Sequence, residues 1–154
     1  MAALGLNLFA NSDNFKKFPG TTIGIIVNQQ KQDSPTNVIG SKEVTIDSRL
    51  IGYYSIVKYT GIYRPVSPEG MHILKGLLAI GIVDNHFASI FTEELKVTED
   101  GTSYWILVQN NLINSLREEL HKNENFKLFY RMAGIAFGQP QLIMIEFSSI
   151  NENQ

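Results

Sequence analysis

The 154-residue chain contains no cysteine. That excludes disulfides, thiolate metal sites and cysteine nucleophiles, and removes the usual staple of small secreted domains. An excess of one charge is also missing: 13 Lys and Arg against 15 Asp and Glu give a net charge of −2. Any attraction to nucleic acid or an anionic membrane must then come from a local patch. No apolar run approaches the roughly 20 residues of a membrane-spanning helix. The first ten residues are apolar but lack the basic and long apolar regions of a signal peptide, so a cytoplasmic location is the default expectation. A virion location or export by a non-classical route stays open.

Motifs with a chemical mechanism are absent too. Neither GxxxxGK nor GxGxxG occurs, so no phosphate loop is expected; the glycines of TTIGIIV and MAGIAFG read as strand bulges. There is no HExxH, no EF-hand spacing and no GxSxG elbow. His72, His86 and His121 fall on a helix, at a strand start and at a helix end. Asp84-x-His86 offers two ligands without a third, so no metal and no cofactor are expected. The adjacent carboxylates Glu93-Glu94 and Glu99-Asp100 read as solvated charge on an exposed hairpin, and no catalytic residue is assigned. Enzyme status stays open, with a non-catalytic protein favoured.

What is present centres on Arg49–Arg64, RLIGYYSIVKYTGIYR, which holds four of the six tyrosines. Read as a strand, it places Ile51, Tyr53, Val57, Tyr59 and Tyr63 on one face and Leu50, Tyr54, Ile56, Lys58, Thr60, Ile62 and Arg64 on the other. Gly52 and Gly61 predict a bulge or bend. Before it, residues 1–20 form an amino-terminal arm in which Leu4, Leu6 and Leu8 alternate, followed by Phe9, with Phe15 and Phe18 as anchors. Residues 21–29 predict a first strand, 30–42 a surface loop, and 43–48 a second strand.

After the tyrosine stretch, Ser67 and Pro68 are a helix start, and Met71, Leu74, Leu77, Leu78 and Ile82 follow at helical spacing. Asp100-Gly101 predicts a two-residue hairpin turn, pairing Val97 with Tyr104, Leu95 with Ile106 and Lys96 with Trp105. NLINSLREELHK predicts a second helix buried through Leu112, Ile113, Leu116 and Leu120. A last hairpin, joined at Gly138-Gln139-Pro140, is apolar on both faces. Residues 151–154 are a polar tail.

The predicted fold is α+β: one domain over residues 21–150, with a mainly antiparallel, strongly curled sheet or partly open β-barrel of six or seven strands and two helices. In outline it is similar to an OB-type fold. The second helix and extra hairpin depart from that pattern, and no functional residue is carried over from it. The leading functional expectation is a structural or assembly subunit, forming a homo-oligomer or binding a protein partner through its sheet surface, loops and the Leu4, Leu6, Leu8 and Phe9 arm. The alternatives are a single-stranded nucleic-acid binder and a small-substrate enzyme. Nucleic acid would use Arg49, Tyr53, Lys58, Tyr59, Tyr63 and Arg64, since aromatic faces stack bases while cations meet phosphates. No membrane partner is expected.

Overall fold

The tyrosine-rich stretch forms the 14-residue strand β3 (Gly52–Pro65) in a computed structural model that describes residues 14–32, 37–38 and 43–150. It is preceded by a 3-10 turn (Asn14–Lys17), α1 (Ile23–Gln32), β1 (Asn37–Val38) and β2 (Val44–Ile46). It is followed by α2 (Pro68–Ala79), α3 (Asn85–Ser89), β4 (Phe91–Glu99), β5 (Thr102–Gln109), α4 (Asn110–Glu119), β6 (Asn125–Ala136) and β7 (Gln139–Ser149). The class is α+β, with a seven-stranded sheet in the order β1-β2-β6-β3-β4-β5-β7. Because β6 also pairs with β7, five strands close into a ring that runs β3-β4-β5-β7-β6 and back to β3. Neighbouring strands are antiparallel except β5 and β7.

Closure depends on the bend in β3. This strand pairs with β6 through Gly52–Lys58 and with β4 through Lys58–Pro65, with a register shift between Tyr59 and Tyr63. Gly61 sits in that shift at φ 74, a conformation glycine adopts without a Cβ penalty. The ring and the helix between its third and fourth strands in chain order resemble the OB-type outline. The insertion of α2 and α3 after β3, and the added β1 and β2, depart from it.

The ring is filled by side chains. Val57, Tyr59, Leu95, Val97, Ile106 and Tyr130 are buried in its interior cluster. Helix α1 meets one end, where Glu99 pairs with Thr102, and α4 begins at the other, where Phe91 pairs with Gln109. A second cluster lies outside the ring, where Ile73, Leu74, Leu77 and Phe87 of α2 and α3 cover Ile46, Leu107, Ala133 and Ile143. Strands β5, β6 and β7 are therefore apolar on both faces.

Several expectations need correction. Residues 21–29 are not a strand: Ile23–Gln32 is helical, and the described residues hold four α-helices rather than two. The local β-preference of TTIGIIV is overridden because Thr22 accepts from the Ile25 amide and the Glu99 carboxylate accepts from the Ile23 and Gly24 amides. Those bonds satisfy the first turn of a helix, which then buries Ile23, Ile26 and Val27 and leaves Ile25 exposed. Between β2 and β3, a junction the sequence left open as bulge or turn, the chain turns: Leu50 has φ 46 and its amide donates to Asp47 O. The last hairpin turns at Phe137-Gly138, with φ 51 and 78, one residue earlier than expected; Gln139 and Pro140 already belong to β7. Within α4, Leu112, Ile113 and Leu116 are buried as expected, as is Leu120 just beyond it, while Arg117, Glu118 and His121 stay exposed.

Candidate functional site

The tyrosine face points into the ring. Tyr59 is 4% exposed, and Tyr53 and Tyr63 are half-buried against the interior cluster. Tyr59 and Tyr63 share a hydroxyl–hydroxyl bond of 2.9 Å, and the Arg117 guanidinium lies 4.5 Å from the centre of the Tyr63 ring. Tyr53 packs on Tyr130, whose hydroxyl bonds Ser55 Oγ at 2.9 Å. Tyr59 belongs to the core, and Tyr53 and Tyr63 pack against it rather than standing out as an open row of rings. Leu4, Leu6, Leu8 and Phe9 lie outside the described residues.

Burial raises the Tyr63 phenol above the ordinary tyrosine range, helped by its bond with Tyr59, and burial likewise raises Tyr130. A raised folded-state value means that the native state holds these protons more tightly. Their contribution to stability is therefore expected to be constant below the unfolded value of about pH 10 and to be lost as pH rises above it. A phenolate absorbance titration checks this. The two phenols should ionise together with loss of the folded circular dichroism; ionisation near pH 10 in the folded protein would contradict it.

Among the basic residues, Arg49 is turned to Asp47, with Nε 2.7 Å from Oδ1. Burial pushes the Asp47 carboxyl up, but the Arg49 hydrogen bonds and charge outweigh it and leave the group below its usual range. Arg49 thus stabilises the β2–β3 turn and lies away from Lys58 and Arg64. Those two are on the outer face of β3, opposite the tyrosines.

Register assembles a site on that outer face. Lys58 pairs with Thr98, Thr98 with Ser103, and Lys96 with Trp105, while Arg64 pairs with Glu94. The Arg64 guanidinium lies 3.9 Å above the Trp105 ring, and its Nε donates to Glu94 Oε1 at 2.7 Å. Lys58 is exposed and Lys96 half-exposed, and neither has a carboxylate at ion-pair distance among the described residues. Ile56 shares this face at 45% exposure, and Ile62, in the bend of β3, is 46% exposed. A cleft by Arg64 and Trp105 is lined by Ser67, Ser103, Gln139 and Gln141, with Glu69 at its rim. At the Lys58 end lies a groove of about 690 Å³ between Thr21-Thr22, Ile56 and Thr98–Gly101.

Trp105 and Lys96 were not among the expected site residues. The predicted pairing of Lys96 with Trp105 had already set them side by side. Knowing that β4 pairs with β3 so that Thr98, Lys96 and Glu94 share the face of Lys58 and Arg64 was the missing step.

The expected solvated carboxylates also need correction. Glu94 is 2% exposed: Oε1 takes Arg64, while Oε2 accepts from the Ser67 amide at 3.1 Å and hydroxyl at 2.9 Å. Ser67 Oγ in turn accepts from the Gly70 amide, capping α2. Glu99, 9% exposed, holds the start of α1. Each carboxylate serves a helix end, where negative charge is favoured. Only Asp100 is fully exposed at the hairpin tip.

The three histidines are exposed; His72 packs edge-on to Phe137 at 5.3 Å. No group of three or more His, Asp or Glu is placed to hold a metal among the described residues. No described helix is long and apolar enough to cross a membrane. No protein-family model matches the chain, and a comparison with curated proteins gives no match.

Proposed function

We propose that the protein is a non-catalytic binding protein that holds single-stranded nucleic acid on the outer face of β3, β4 and β5. One observation carries this reading: Lys96 pairs with Trp105, Arg64 lies over the indole and Lys58 shares the sheet face farther along β3, while neither lysine has a carboxylate at ion-pair distance among the described residues. Aromatic and guanidinium planes stack bases of any sequence while ammonium groups meet phosphates. The OB-type outline agrees by analogy, since such folds bind oligonucleotides on the corresponding sheet face. Two unpaired lysines on an otherwise near-neutral protein imply modest affinity, governed by salt.

Trp105 is the only tryptophan, so its fluorescence reports directly on this face. Titration with an oligothymidylate of about 15 nucleotides is expected to quench it. The logarithm of affinity should fall against the logarithm of salt with a slope of about −1.4, from about −0.7 for each of the phosphate contacts of Lys58 and Lys96. By anisotropy of a labelled oligonucleotide, Trp105→Ala should weaken binding by roughly 5–150-fold, the loss of one stacked base at about 1–3 kcal/mol. Lys58→Glu with Lys96→Glu should abolish the salt dependence. Absence of binding at low salt, or affinity indifferent to these changes, would remove the reading.

A second reading, a structural or assembly subunit, is favoured by the exposed Ile56 and Ile62 on β3, the strand that carries Arg64, because interfaces are enriched in Arg and aromatic residues around an apolar centre. In that case Ile62→Asp should release a protein partner, and oligothymidylate should leave the fluorescence unchanged.

A further inference from the structure

The ladder of β3 has a gap. Tyr54 donates its amide to Pro19 O at 2.9 Å and accepts from the Thr21 amide at 3.0 Å, so the polar groups of even-numbered residues face the edge away from β6. Odd-numbered residues face the other way, as the bonds of Tyr59 to Asn123 and Glu124 show. Lys58 is taken up on the even edge by Thr98 of β4. Ile56, between them, turns its N–H and C=O to the same edge by the two-residue period. There it meets neither the 19–21 strap nor β4 among the described residues.

The gap exists because Glu99 captures the Ile23 and Gly24 amides, turning the chain into α1 just where it would have continued along β3. The groove of about 690 Å³ lies at this point, with exposed Ile56 in its lining and Thr21, Thr22 and Thr98 at its sides. An unpaired edge beside an apolar side chain is suited to an extended backbone more than to a small ligand.

We propose that residues 2–9 of a second copy of this chain dock there in extended form, bonding the free amide and carbonyl of Ile56. The alternation of Leu4, Leu6 and Leu8 puts three leucines on one side of an extended segment, where one can cover the exposed Ile56 while the backbone runs past the polar lining of Thr21, Thr22, Lys58, Thr98 and Asn125. A segment of the same chain already uses this edge, since Gly20 bridges Tyr54 in parallel. Followed back from Gly20, the strap leads away from the groove, with Phe18 over Gly52 and Phe15 against Phe129. That direction favours an arm supplied by a neighbour. This proposal shares Lys58 with the nucleic-acid reading, whose centre is Trp105 with Lys96 and Arg64.

The test is light scattering of the full chain over a concentration series. The wild type should exceed the mass of one chain, and an excess of a synthetic peptide of residues 2–13 should return it to one chain. Ile56→Pro removes an amide that no neighbour in the described protomer uses. It leaves Ser55 in the extended conformation that precedes proline, so circular dichroism should be unchanged while the mass falls to one chain. Deleting residues 2–10 should do the same. If Ile56→Pro does not fold, Leu6→Asp and the peptide competition decide. A wild type of one-chain mass at every concentration would overturn the proposal and leave docking within the same chain at most. So would a mass indifferent to the peptide and the deletion. Oligothymidylate binding by the one-chain variants would keep the functional reading intact whatever the result here.

Discussion

Replacing Glu94 with alanine is expected to destabilise the protein by about 3 kcal/mol, the lower end of the range for breaking a buried ion pair from one side. The charge lost is 2% exposed and serves three donors: Arg64 Nε, the Ser67 amide and the Ser67 hydroxyl. Without it the start of α2 loses the group that fixes Ser67, and Arg64 loses the anchor that holds it over Trp105. Arg64 is 38% exposed on its side chain, so water recovers part of its solvation and the upper end of the range is not reached. Urea unfolding measures the difference, with exposed Glu118→Ala as a control expected within about 0.5 kcal/mol of the wild type. A loss below about 1 kcal/mol for Glu94→Ala would mean that α2 is held by its apolar face alone. The same variant should also weaken oligothymidylate binding, because the guanidinium is no longer fixed above the indole.

Gly134→Ala is expected to cost about 2–6 kcal/mol and to reduce the yield of folded protein. Two effects add. Gly134 has φ 144, which an L side chain rarely adopts, a strain of about 1–3 kcal/mol. A Cβ there would stand 2.1 Å from the carbonyl oxygen of Thr45, a backbone atom that moves only if β2 shifts off β6. Overpacking of this kind costs a further 1–3 kcal/mol or so. Gly101→Ala separates the two contributions. It too has positive φ, at 80, but nothing lies within 4 Å of the added carbon, so only strain of about 1 kcal/mol is expected. Equal losses at the two positions, by thermal or urea unfolding, would show that contact with β2 contributes nothing.

Much of the architecture was legible because short-range rules decide it. Ser67 and Pro68 begin α2 as their chemistry requires, and the Asp100-Gly101 turn sets the β4–β5 register at Val97–Tyr104, Leu95–Ile106 and Lys96–Trp105. The inner and outer faces of β3 follow from alternation alone, and Gly61 marks the bend. The candidate site was half legible. Lys58 and Arg64 were singled out, but beside tyrosines that alternation itself placed on the opposite face.

The remainder was decided at long range. Whether Ile23–Gln32 is a strand or a helix depends on Glu99, 76 residues away from Ile23. Whether Glu94 is solvated depends on where α2 begins, 27 residues away at Ser67. Composition, strand alternation, turn chemistry and the α2 cap belong to the sequence by itself, since each rests on groups within a few residues of one another. Ring closure, the burial of the tyrosines, the helix at residues 23–32 and the meeting of Lys58, Lys96, Arg64 and Trp105 were decided only by the tertiary structure. The physical reason is that a buried polar group must find its partner wherever the closed sheet brings one, and no local pattern records that address.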